Sequence, residues 1–111
     1  MKPDKELIGA TTGLLVLKVL AREASYGYHI IRSINEEADG LFTWKEGTIY
    51  PLLHKLEKEG QVRTQWQQAD TGRRRKYYYI TAQGRSSVDT GVKHWEAFHS
   101  LINRIGDQPN G

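Results

Sequence analysis

Apolar positions along the chain switch between two periods, and the switches mark its elements. From Leu7 to Leu20 the apolar residues Leu7, Ile8, Leu14, Leu15, Leu17 and Leu20 predict a first helix with Asp4 placed to cap it. Its later half is apolar on most sides and reads as a buried central helix, whereas Gly9 and Gly13 leave its start loosely specified. Ser25 stands as the N-cap of a second helix over about Tyr26–Ala38, in which Tyr26, Ile30 and Ile34 recur at four-residue spacing and Ile31 and Ala38 widen the stripe. Asp39–Gly40 is a stop signal. Thr43 and Glu46 then have the spacing of a capping box for a third helix, whose Ile49, Leu52, Leu53 and Leu56 form one apolar face. Pro51 would lack a hydrogen bond to residue 47 and press on its carbonyl, so an irregular first turn is expected; Gly60 supplies the stop.

Beyond Gly60 the period becomes two. Val62, Thr64 and Trp66 alternate with Arg63, Gln65 and Gln67, and Tyr78 and Ile80 alternate with Tyr77 and Tyr79, which predicts a hairpin with its tip at Ala69–Arg74. Thr81 caps a last helix to about Ile105, and residues 106–111 are expected to form a disordered polar tail. Along that helix Val88, Trp95 and Ile102 stand seven apart, and Gly91, Phe98 and Ile105 follow each by three, giving a mostly apolar a/d stripe over about three heptads. The stripe calls for another helix. Intersubunit packing is the favoured partner, with docking on the chain's own domain as the alternative. The expected fold is mainly α with a small β-hairpin: a winged helix-turn-helix over 1–81, a C-terminal dimerisation helix over 82–105 and the tail.

Composition narrows the picture. A chain of 111 residues, 38% apolar, has room for one core that a dimer partner could complete. There is no cysteine, hence no disulfide, thiolate metal site or cysteine nucleophile. No apolar run nears the roughly 18–20 residues that span a bilayer, and the start lacks a secretory pattern, so a cytoplasmic protein without a membrane partner is expected. A net charge of +3 favours anionic partners only weakly; its placement says more.

Four adjacent cations, Arg73, Arg74, Arg75 and Lys76, crowd the hairpin tip, where they repel one another and an anion would relieve them. A solubilising turn balanced in part by Asp70 is the bland alternative, and at least one of these cations could instead pair with a helix carboxylate. On the third helix the face opposite the apolar stripe holds Thr48, Pro51, Lys55 and Lys58, flanked by Lys45, Tyr50 and His54. These are donors suited to phosphates and base edges, diluted by Glu46, Glu57 and Glu59. His29, His54, His94 and His99 are dispersed, and His94 and His99 lie five apart, off the i, i+4 spacing of a helical metal pair. No nucleophile elbow, P-loop or dinucleotide fingerprint occurs, so neither an enzyme nor a cofactor is expected. If two copies of the last helix meet, Trp95 and Phe98, with Val92 and His99 beside them, could wall a site for a planar aromatic ligand; filling the dimer core is the competing role.

The tracts GLLVLKVL (13–20), SYGYHIIRSI (25–34), EGTIYPLLHKLEKEGQV (46–62) and GRRRKYYYITAQGR (72–85) resemble the PadR-like transcriptional regulators, in particular the short kind with a single C-terminal helix. The resemblance spans nearly the whole chain. It implies a homodimer that binds a twofold operator in duplex DNA and represses transcription, with a central cavity near Trp95 for planar drugs. On that pattern Lys45, Thr48, Tyr50, His54 and Lys55 belong to the reading helix, Tyr28 to the supporting helix and Arg73–Arg75 to the wing. Val88, Trp95, Phe98, Ile102 and Ile105 belong to the dimer interface, and Trp95, Phe98, Val92 and His99 to the ligand site. A winged-helix protein-interaction module, or a regulator answering to a protein partner without a small-molecule inducer, is the alternative.

Overall fold

The computed structural model describes residues 5–68 and 70–107. Its elements are α1 (Lys5–Arg22), β1 (Ser25–Tyr26), α2 (Gly27–Ala38), α3 (Glu46–Lys58), β2 (Val62–Gln68), β3 (Arg74–Ile80) and α4 (Ala82–Asp107). The cap expected of Asp4, the side chain of Leu7, Ala69 of the hairpin tip and residues 108–111 of the tail lie outside the described residues.

The apolar stripes converge as their spacing requires. Val16, Leu17 and Leu20 of α1, Ile30, Ile31 and Ile34 of α2, Ile49, Leu53 and Leu56 of α3, and Val62 and Tyr78 of the sheet form one core. Trp44, between α2 and α3, joins it at 7% exposure. Its indole N–H donates to the Thr12 hydroxyl at 3.2 Å, and the Asn35 side-chain amide accepts from its backbone N–H at 2.8 Å and donates to its carbonyl at 2.9 Å. A connection that reads as a plain loop is thereby pinned across the core.

That clamp explains one departure from the sequence pattern. The helix α3 starts at Glu46 with Lys45 as its N-cap and no side-chain cap, two residues too late for Thr43 to close the expected box. Pro51 is accommodated within α3; both Thr48 and Ile49 N–H groups turn back to the Lys45 carbonyl, at 3.0 and 3.1 Å, in a crowded first turn. At the far end Gly60, at φ +77°, closes a Schellman motif in which Gln61 N–H reaches the Leu56 carbonyl and Gly60 N–H that of Glu57. Asp39 and Gly40 both take positive φ, ending α2 where the stop signal stands.

Ser25 is not the cap of α2. It pairs with Tyr78 as Tyr26 does with Tyr77, adding β1 to the hairpin in a three-stranded antiparallel sheet ordered β1-β3-β2. The Ser25 hydroxyl instead meets His29 Nδ1 at 2.7 Å, and Tyr26 precedes the helix without a side-chain cap. Two residues carry no readable strand period, which is why β1 escapes sequence inspection.

Thr81 does cap α4, its hydroxyl accepting from Gly84 N–H at 3.0 Å. The same hydroxyl donates to the Gly60 carbonyl at 2.7 Å, and Gln83 Nε2 donates to the Glu59 carbonyl at 3.0 Å, so the first turn of α4 is fastened to the last turn of α3. α4 runs past the expected end, through Gly106 to Asp107.

Candidate nucleic-acid interface

Helical geometry decides which side chains of α3 face outward. Ile49, Leu53 and Leu56 are buried, which leaves Gly47, Pro51, His54 and Lys58 at the centre of the opposite face and exposed. Thr48 and Lys55 lie on one flank, both exposed; Lys55 borders a groove shared with Leu52, Gly91 and Trp95. Tyr50 lies on the other flank, 42% exposed, its ring edge so close to Gly27 that a Cβ there would collide with it. Lys45 is exposed just ahead of the helix. Tyr28 is 50% exposed on α2, on the surface and not in the interior. Lys58 was named on this face from the sequence but not among the reading residues, and it sits nearer the centre of that face than Lys55 does.

The wing is held to α3 by one carboxylate. Glu57 accepts from the Thr64 hydroxyl of β2 at 2.8 Å and from Lys76 Nζ of β3 at 3.4 Å. The Thr64 hydrogen bond, followed by the charges of Lys76 and His54, holds the Glu57 carboxyl below the ordinary carboxylate range. Over it, burial pushes the Tyr78 phenol up, with the Glu57 charge adding to the effect. No sequence period announces this node, because its three members come from three elements.

Strand alternation splits the arginine run. Arg73 precedes β3 and is exposed at the tip, after Gly72 at φ +84°. Arg74 falls on the sheet face that carries Thr64, Lys76 and Tyr78, its guanidinium 5.7 Å from the centre of the Trp66 ring. Arg75 falls on the opposite face, 4.3 Å over the Tyr26 ring, which itself meets Tyr77 edge-on at 5.5 Å. Arg63 stacks likewise over Tyr79 at 4.4 Å. The three arginines therefore do not share one face: Arg74 lies on the α3 side, Arg75 stacks on Tyr26 of β1, and Arg73 is exposed at the tip. The alternation of β3 already carried this signal.

The last helix divides. Val88, expected in the intersubunit stripe, packs against the chain's own core, and Gly91 lets Leu14 of α1 approach. Farther along, Trp95 (50%), Phe98 (67%), Ile102 (64%) and Ile105 (68%) are exposed. Trp95 and His99 stack face to face at 5.0 Å. Val92 and Trp95 border a groove with Leu15, Leu41 and Phe42, whereas Phe98 and His94 border a different one with Leu14 and Leu52. Within the single chain, then, Trp95 borders both grooves and the four ligand-site candidates do not share one. Among the described residues no group of three or more His, Asp or Glu could hold a metal, and no helix is long and apolar enough to cross a membrane.

The model of the transcriptional regulator PadR-like family matches residues 16–90. The fold is similar to a transcriptional regulator of Clostridium thermocellum at 31% identity and a TM-score of 0.82, covering 89% of this chain and 96% of that one. A PadR family regulator of Eggerthella lenta matches at 29% identity and a TM-score of 0.80, covering 94% of this chain and 88% of that one. The transcriptional regulator YqjI of Escherichia coli K12 is 30% identical over 89 residues, which is 80% of this chain and 41% of YqjI.

Proposed function

The chain belongs to the PadR-like family of transcriptional regulators, and from that membership we propose that it is a homodimeric, sequence-specific repressor that acts on duplex DNA in the cytoplasm. The observation that carries the reading is continuity. The exposed face of α3, with Thr48, His54, Lys55 and Lys58, runs into the wing tip with Arg73 and Arg74 through the Glu57 tie, so groove and backbone contacts would be made by one rigid surface. Each α3 would enter a major groove, Lys45, Tyr50 and Tyr28 flanking it. A twofold pair would place half-sites one helical turn, roughly 34–36 Å, apart.

The exposed distal half of α4 supports the dimer. Trp95, Phe98, Ile102 and Ile105 form the stripe a second copy would cover, and the Trp95–His99 stack offers a flat wall for a planar aromatic effector with Val92 nearby. The fastening of Thr81 and Gln83 to the end of α3 gives such an effector leverage, since a change in α4 angle would be carried into the reading helix. Regulation requires that the effector bind the two arrangements with different affinity.

The test is a gel shift on the DNA upstream of the protein's own gene, with nonspecific competitor at physiological salt. A discrete complex with two protomers per site is expected, and planar aromatic compounds should release it. Binding that is diffuse and unselective at every salt concentration would refute the operator reading.

A further inference from the structure

Trp66 is out of place for a residue on the inner face of the wing. Alternation sets it on the face that buries Val62 and Tyr78 and ties Thr64 to Glu57, yet it is 58% exposed. It pairs across the sheet with Lys76, whose ammonium turns to Glu57 of α3, and the indole itself stays open. The only ring contact it makes among the described residues is with the Arg74 guanidinium, at 5.7 Å. An indole left open contributes little to folding and leaves a large apolar surface in water.

We infer that Trp66 is a DNA-contact residue: its ring packs flat against a deoxyribose of the strand that passes between α3 and the wing, while Arg74, steered by the ring, takes the adjoining phosphate. The inference rests on the DNA-binding reading above. Charge complementarity chooses the occupant, because the open ring lies beside Arg74, with Arg73 exposed at the tip and Asp70 the one carboxylate on that turn. A second protein chain would gain from the indole but would have to bury these cations, whereas a sugar-phosphate strand offers an apolar sugar face and an anion at adjacent positions. Lys76 remains engaged with Glu57, which leaves Arg74 as the phosphate ligand. A sugar contact is blind to sequence, so any duplex reports it.

The experiment is fluorescence anisotropy of a labelled mixed-sequence duplex titrated with the intact protein across a salt series. Trp66→Ala should weaken binding roughly ten-fold at every salt concentration, with the slope of log K against log salt unchanged. Arg74→Ala should instead flatten the slope by about 0.9, one phosphate's worth. Trp66→Phe, which keeps an aromatic plate, should stay close to the parent. Parent affinity in Trp66→Ala would overturn the inference while leaving the DNA reading intact, as would a loss traced by sedimentation to an altered oligomer or by circular dichroism to unfolding. Failure of the parent to bind any duplex would sink both.

Discussion

Two glycines on helices show how contact geometry, and not residue type, sets the effect of a substitution. A Cβ at Gly84 would fall onto the Gln61 backbone carbonyl and the Ile80 side chain, and the carbonyl cannot withdraw without shifting the α3–β2 turn. A Cβ at Gly47 meets nothing within 4 Å. Alanine's helix preference of about 1 kcal/mol favours both changes, but overpacking against backbone costs about 1–3 kcal/mol. Gly84→Ala should therefore destabilise the fold and Gly47→Ala should be neutral or stabilising, as urea unfolding would read directly. Glu57 sets a pH-dependent counterpart. Its carboxyl is held below the ordinary range by Thr64 and then Lys76, so its contribution is complete above the unfolded carboxylate pKa and disappears as pH falls through the lowered folded value. The melting temperature of Glu57→Gln should lie below the parent at neutral pH and converge with it in acid; a constant gap across that window would show that the tie works by shape alone.

At the level of elements, the wing behaves as two surfaces joined at a tip. Arg73 and Arg75 should part company when each is replaced by alanine. Loss of Arg73, free at the turn, should reduce the salt slope of DNA binding by about 0.9 with the fold unchanged. Loss of Arg75 should leave the slope alone and lower the melting temperature, because its stack on Tyr26 holds β3 to β1; cation–π contacts at such sites are worth about 0.5–1 kcal/mol. Equal slopes for Arg73→Ala and the parent would remove the tip from the interface. The same split shows what the sequence made legible. α1 to α4 and the hairpin could be read because each has a local period, and the Gly60 and Thr81 boundaries could be read because caps are local chemistry. The strand β1 and the Asn35 clamp on Trp44 could not, since each joins residues whose neighbourhood exists only after folding; of the Glu57 node a pairing of a wing cation with a helix carboxylate was legible, but not its members or the Thr64 bond. The expected Ser25 and Thr43 caps failed for that reason: strand pairing and the buried Trp44 outbid a local hydrogen bond. The exposed site residues of α3 were legible by their face, and so was their ranking, Lys58 central and Lys55 lateral, since both follow from helical spacing against Ile49, Leu53 and Leu56.

Over the whole molecule, the 65 × 30 × 20 Å envelope records a helix that outreaches its own core. The start of α4 is fixed by Val88 and Gly91 against the domain, but Phe98, Ile102 and Ile105 meet solvent, and an isolated helix of fewer than about 12–15 residues is marginal in water. An apolar stripe on such a segment is a surface that a partner would cover, and the proposed twofold pair would do so while setting the spacing of two reading helices. Replacing Ile102 and Ile105 together by glutamate places charges where two copies of the stripe would meet, where burial without a partner is prohibitive, yet leaves every core residue untouched. The double variant should sediment as a monomer with its winged domain still folded, and should lose about 10²- to 10⁴-fold in operator affinity as two linked half-site contacts become one. Its binding to a single half-site should match that of the parent protomer. A variant that stays dimeric would move the interface away from distal α4, and one that is monomeric yet binds the full operator like the parent would show that the two reading helices do not act as a linked pair.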